Sequence, residues 1–104
     1  MKFSLDKLVD GKEYYVYALR ISRSGKASRK IIPQIAKFKK DRGTRGSFYN
    51  EKGKYLGETW YTYFNVFDNY EEAVEEWNMQ LQNILDKVTS EFETRIKNIS
   101  SLKI

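Results

Sequence analysis

Along the first two thirds of the chain apolar and polar side chains alternate with the two-residue rhythm of a strand, whereas in the last third the apolar positions recur every three or four residues. Residues 13–22 (EYYVYALRIS) are dense in aromatic and β-branched types and run into Arg23-Ser24-Gly25-Lys26, a composition that favours a turn. Residues 29–39 (RKIIPQIAKFK) predict a second strand, with Ile32, Gln34, Ala36 and Phe38 on one side and Ile31, Pro33, Ile35 and Lys37 on the other. Pro33 has no N–H to give to a ladder, so this strand is expected at an edge or bulged there. Residues 40–57 hold four of the six glycines among charges and are read as a long mobile connection with a short hairpin about Asn50-Glu51-Lys52-Gly53. Residues 59–67 (TWYTYFNVF) form the most strand-prone run and are expected as a central strand.

The helix is expected over residues 70–98. Asp68 or Asn69 can cap it, Glu71 or Glu72 stands at the capping-box position, and no Gly or Pro follows. Its apolar stripe runs through Tyr70, Val74, Trp77, Leu81, Ile84, Leu85, Val88, Phe92, Ile96 and Ile99. Such a helix would be ~45 Å long against ~33 Å for a ten-residue strand, so its carboxyl half should overhang the sheet. Val88, Phe92, Ile96 and Ile99 would then be buried against a second copy in a homodimer. The competing arrangement is that residues 3–9 fold back under the helix. The fold class is therefore α+β: an antiparallel sheet of three to four strands followed by one long carboxyl-terminal helix packed on one face.

A chain of 104 residues makes a single domain, residues 1–104, and its eight Tyr, six Phe and two Trp supply enough apolar area for one core. No apolar run approaches the ~18 residues needed to cross a bilayer, and the amino end lacks the apolar stretch of a signal peptide, which points to the cytoplasm and to no membrane partner. With no Cys and no His, the chain has no disulfide, thiolate nucleophile, imidazole base or zinc site of the usual composition. No Gly-rich phosphate loop, nucleophile elbow or D-x-D cluster is present. The expectation is a non-enzymatic protein without cofactor or metal. The acids Glu71, Glu72, Glu75 and Glu76 are accounted for by the helix dipole.

Charge is divided unevenly. Residues 1–54 carry 15 basic and 5 acidic side chains, net +10, and residues 55–104 carry 4 basic and 9 acidic, net −5. One basic set, Arg20, Arg23, Lys26, Arg29 and Lys30, gathers at the turn between the first two strands. Close like charges repel unless an anion neutralises them, so this is a candidate phosphate-binding tip. A second set, Lys37, Lys39, Lys40, Arg42 and Arg45, lies beside Phe48, Tyr49 and Tyr55. Cations can hold backbone phosphates while neighbouring aromatics stack on bases. For both sets the alternative is a solvated surface that keeps the sheet from aggregating.

Phe67-Asp68-Asn69-Tyr70-Glu71-Glu72-Ala73, ending in Trp77-Asn78, resembles the strand-to-helix junction of the Apetala/ethylene-response-factor type of DNA-binding domain. In that family three antiparallel strands lie in the major groove and a helix braces them. The family's Arg and Trp pattern on the first two strands is absent, and no base-reading residue carries over. The leading expectation is a nucleic-acid-binding module, with DNA favoured over RNA. The alternative is a small interaction or inhibitor protein, of a kind a phage could encode, that occupies a host enzyme or defence factor through Trp60, Tyr61 and Tyr63.

Overall fold

Six antiparallel strands form one sheet in the order β1-β6-β2-β3-β4-β5: β1 (Lys2–Phe3), β2 (Glu13–Ile21), β3 (Ala27–Arg42), β4 (Arg45–Asn50), β5 (Tyr55–Glu58) and β6 (Asn65–Phe67). The computed structural model describes residues 1–22, 26–86 and 93–104. The sheet therefore has more strands than the three to four expected. β3 is its spine: residues 27–37 pair with β2 and residues 36–42 pair with β4, so the two neighbours overlap only at Ala36 and Lys37. Pro33 sits where the ladder slips. Val16 lies opposite Gln34 and Ala18 opposite Ile31, leaving Ile32 and Pro33 against Tyr17 alone, a bulge that accommodates the missing N–H. The slip also regroups the side chains, so that Ile31 joins Gln34, Ala36 and Phe38 on one face and Ile32 is left exposed.

The connection expected at residues 40–57 is ordered strand. Its hairpin turn is where the sequence places it: Asn50 Oδ1 accepts from the backbone N–H of Lys52 (2.9 Å) and Lys54 (2.8 Å), and Gly53 takes a φ of +81°. Gly46 is a packing glycine, because a Cβ there would lie 2.4 Å from the Lys39 carbonyl oxygen and 2.5 Å from the Phe38 ring. The glycines that suggest mobility thus let a ring and a backbone close on each other.

Alternate positions along β2 supply two cores. On one face Tyr14, Val16 and Ala18 pack with Ala36, Phe38, Phe48, Phe64 and Val66, and Phe3, Leu5 and Leu8 lean against them. On the other, Tyr17 and Phe67 meet Ala73, Trp77, Leu81 and Ile99 from the helices. Burial pushes the Tyr17 phenol up, and its hydroxyl donates to Gln80 Oε1 at 3.1 Å. A single 3₁₀ turn at Leu5–Lys7 joins β1 to the strand that follows.

Among the described residues three α-helices complete the fold: α1 (Thr59–Thr62), α2 (Tyr70–Leu85) and α3 (Glu93–Ser100). Asn69 caps α2, accepting from Glu72 N (2.8 Å) while its amide donates to Glu72 Oε1 (2.9 Å). The single helix expected over 70–98 is replaced by α2 and α3, and the last segment returns along α2. The Trp77 indole donates to the Leu102 carbonyl (2.8 Å), and Asn78 exchanges hydrogen bonds with the backbone of Ile104, both at 3.0 Å. Ile99, expected to face a second copy, is fully buried within its own chain. Folding back removes that apolar surface from water without a partner. Ile96 is half-buried, and Val88 and Phe92 lie outside the described residues. Residues 3–9 do not cover the helix either. Phe3, Leu5 and Leu8 serve the opposite core, while the Met1 amine contacts Asp68 and Glu72, and Lys2 Nζ lies 2.6 Å from Glu76. Among the described residues no helix is long and apolar enough to cross a membrane.

Candidate nucleic-acid interface

β5 and β6 are consecutive along the chain yet stand well apart in the sheet, so the segment between them must cross a face. It does so as α1, and the crossing explains why residues 59–67 are not one strand. Gly57, with a φ of +148°, lets the turn close: a Cβ there would be 2.3 Å from Thr62 Oγ1. The buried Thr59 hydroxyl oxygen accepts from Gly46 N at 3.2 Å, which ties the turn to β4. Tyr63 ends α1 in the left-handed region (φ 58°, ψ 54°) and sends Phe64 into the core, 4.9 Å from the Phe48 ring. The crossing leaves three aromatics facing solvent: Trp60 is 50 %, Tyr61 65 % and Tyr63 75 % exposed.

Cations from both basic sets flank this one turn. Arg29 Nη1 donates to the carbonyl oxygens of Tyr61 (3.1 Å) and Thr62 (3.4 Å), acceptors that a helix end leaves without intrahelical partners. From the other side, the Arg45 guanidinium lies 4.9 Å from the centre of the Trp60 ring. Trp60 and Tyr61 meet edge to face at 5.4 Å. A groove of about 390 Å³ lined by Tyr55, Glu58, Trp60 and Tyr61 runs along the β5 edge. Tyr55 continues the row, 5.7 Å from Tyr49, whose ring carries Lys39 Nζ at 5.0 Å. Lys39, Tyr49, Tyr55, Trp60 and Tyr61, with Arg45 on the face of Lys39, thus follow one another around the β5 edge, while Arg29 reaches the same turn from the opposite face of the sheet.

The remaining sequence candidates distribute around it. Lys37 shares the face of Lys39 but lies opposite Glu13 in the ladder, and Glu51 lines the same hollow, so this end is partly neutralised. Lys40 points to the face opposite Lys39, since neighbours along a strand alternate. Arg42 lies directly across from Arg45, and Arg20 across from Arg29. Like charges so placed destabilise a ladder. Lys26 and Lys30 are exposed toward the first hairpin, and Arg23 lies outside the described residues. Among the described residues the salt bridges involve Met1 and Lys2 alone, so none of the described cations of the two sets has a carboxylate within ion-pair distance. Phe48, expected to stack on bases, is fully buried in the core.

A single strand over residues 59–67 would put Trp60 on one face with Thr62 and Phe64, but only Phe64 and the small threonines turn inward, and Trp60 is exposed. No sequence signal marks Tyr63 as left-handed, and that residue decides the direction of the whole segment. The likeness to the Apetala/ethylene-response-factor junction is confined to β6, the Asn69 cap and the start of α2, because the six-stranded sheet departs from that family's three strands. No family model, no curated protein and no solved structure matches this chain.

Proposed function

We propose that this protein is a small, non-catalytic nucleic-acid-binding module whose basic sheet face engages backbone phosphates. The observation that carries the reading is the convergence of Arg29 and Arg45 on one solvent-facing aromatic turn, from the two faces of the sheet, with Lys39 and Tyr49 on the face of Arg45 and no carboxylate partner among the described residues for any of the three cations. Cations fixed on strands and lacking counter-charges gain most from a polyanion, because each phosphate they neutralise releases counterions. The opposed pairs Arg20 with Arg29 and Arg42 with Arg45 add to this, since their mutual repulsion is relieved when an anion binds.

Anisotropy titrations of labelled DNA and RNA at low and physiological salt test it. Affinity should fall steeply with salt, and replacing Lys39 and Arg45 together by Ala should weaken binding and lower the log–log salt slope by ~0.7–0.9 for each phosphate no longer neutralised. An affinity that hardly changes with salt contradicts the proposal.

A second reading, a protein-interaction or inhibitor module, is favoured by one observation: Trp60, Tyr61 and Tyr63 are exposed together beside β5, a strand at the edge of the sheet. Aromatic anchors beside an unpaired strand edge suit the docking of an extended peptide. Under this reading aromatic substitutions abolish partner binding and the Lys39/Arg45 replacement does not.

A further inference from the structure

Resting on the nucleic-acid reading above, we infer that the ligand is a single strand, whose bases stack on the row Tyr49, Tyr55, Trp60 and Tyr61 while Lys39 and Arg45 hold its phosphates and Arg29 braces the turn through the Tyr61 and Thr62 carbonyls. The row is built as a stacking platform. Tyr55 and Trp60 are each half exposed, Tyr61 more so, and the groove between them opens along the sheet edge. In a duplex the base faces are occupied by their neighbours, so exposed protein rings reach bases only where the strand is unpaired. A reader of duplex grooves instead places a helix or a protruding ribbon against base edges. Here α2 cannot serve, because its apolar side is buried on the sheet and its first turn carries Glu71 and Glu72.

The free protein already shows how cations and rings cooperate. Lys39 Nζ and the Arg45 guanidinium rest over the faces of Tyr49 and Trp60. An arriving base takes the ring face, and the displaced cation, on its long flexible side chain, moves to the adjoining phosphate. Each cation–ring pair is therefore a preassembled unit for one nucleotide. Recognition by stacking tolerates any base, which predicts weak sequence preference.

The two tryptophans provide the readout. Trp77 is fully buried and Trp60 half exposed, so a change in tryptophan emission on binding reports on Trp60. The full chain is titrated with single-stranded DNA, single-stranded RNA and duplex DNA of equal length, following intrinsic fluorescence and anisotropy. The expected result is quenching by single strands and tighter binding of them than of the duplex. Trp60→Leu and Tyr55→Ala should each weaken single-strand binding about tenfold, the equivalent of ~1.4 kcal/mol, and weaken duplex binding by clearly less. Both side chains are exposed, and an unchanged Tm confirms that each variant folds. Duplex binding as tight as single-strand binding, unaffected by the aromatic substitutions, overturns the inference and leaves the phosphate-binding module standing. Absence of binding to every polymer at low salt overturns both.

Discussion

Replacing Ile99 by Ala tests the point at which the three-dimensional arrangement departs most from the sequence pattern. Ile99 is fully buried in one cluster with Tyr17, Phe67, Ala73, Trp77 and Leu81. Truncating a buried Ile to Ala costs ~2–5 kcal/mol, the spread reflecting how far the surroundings collapse into the space. α3 is an eight-residue helix near the chain end, so it can settle partly into the cavity, and the lower half of the range, about 2–3 kcal/mol, is expected. For a domain of this size that lowers Tm by roughly 10–20 °C. Thermal unfolding followed by far-ultraviolet circular dichroism, at two protein concentrations about twentyfold apart, measures it. Within one chain the loss is the same at both concentrations. Ile104→Ala is the control, since that side chain is exposed and should change stability by under about 0.5 kcal/mol. The reasoning is refuted if Ile99→Ala is as mild as the control. It is equally refuted if the parent Tm rises with concentration and the substitution removes that rise, because Ile99 would then sit between two copies.

Other perturbations follow from single interactions. Gly46→Ala should destabilise by ~1–3 kcal/mol in chemical denaturation, because the new methyl group meets the Lys39 carbonyl and the Phe38 ring. Asn69→Ala removes the cap of α2 and should cost ~1 kcal/mol in the same assay. Tyr63→Gly should keep or raise stability by up to ~1 kcal/mol despite the loss of an aromatic, because relief of the left-handed backbone offsets the entropy of glycine; a marked loss would show that the ring is packed. Hydrogen bonds from the Met1 amine hold the Asp68 and Glu72 carboxyls below their usual range, and the same hydrogen bonds raise the amine. The carboxylates therefore stabilise the fold above their unfolded pKa values, and that support is lost as pH falls through the lower folded values. The amine's support is present below its unfolded pKa and disappears as pH rises through its raised folded value. A pH series of Tm should show both flanks, each shallow because the groups are exposed, and Glu72→Gln should flatten the acidic one.

Much of the local structure is legible in the chain itself. The alternation at residues 13–22 sets β2, the Asn50 side chain sets the turn between β4 and β5, and Asn69 with Glu72 sets the start of α2, because each depends on neighbours within a few residues. Pro33 announces the bulge for the same reason: a missing N–H is a property of one residue. The basic character of residues 1–54 is likewise plain from composition. Tertiary structure alone decided what depended on distant partners. A helix-period stripe is the same whether the helix runs on or doubles back, and burial of Ile99 on Trp77 and Leu81 chose the second. Glycines that look like loop residues became close-packing sites once Phe38 and Thr62 arrived above them. Trp60 alternates with Thr62 and Phe64 like a core position, yet the sheet order forces the chain across a face at that point and turns Trp60 outward with Tyr61, between an arginine from β3 and another from β4. Pattern along the chain records which side chains prefer water. It holds no information about which strands stand apart in the sheet, and that separation is what brings the two basic sets to one aromatic turn.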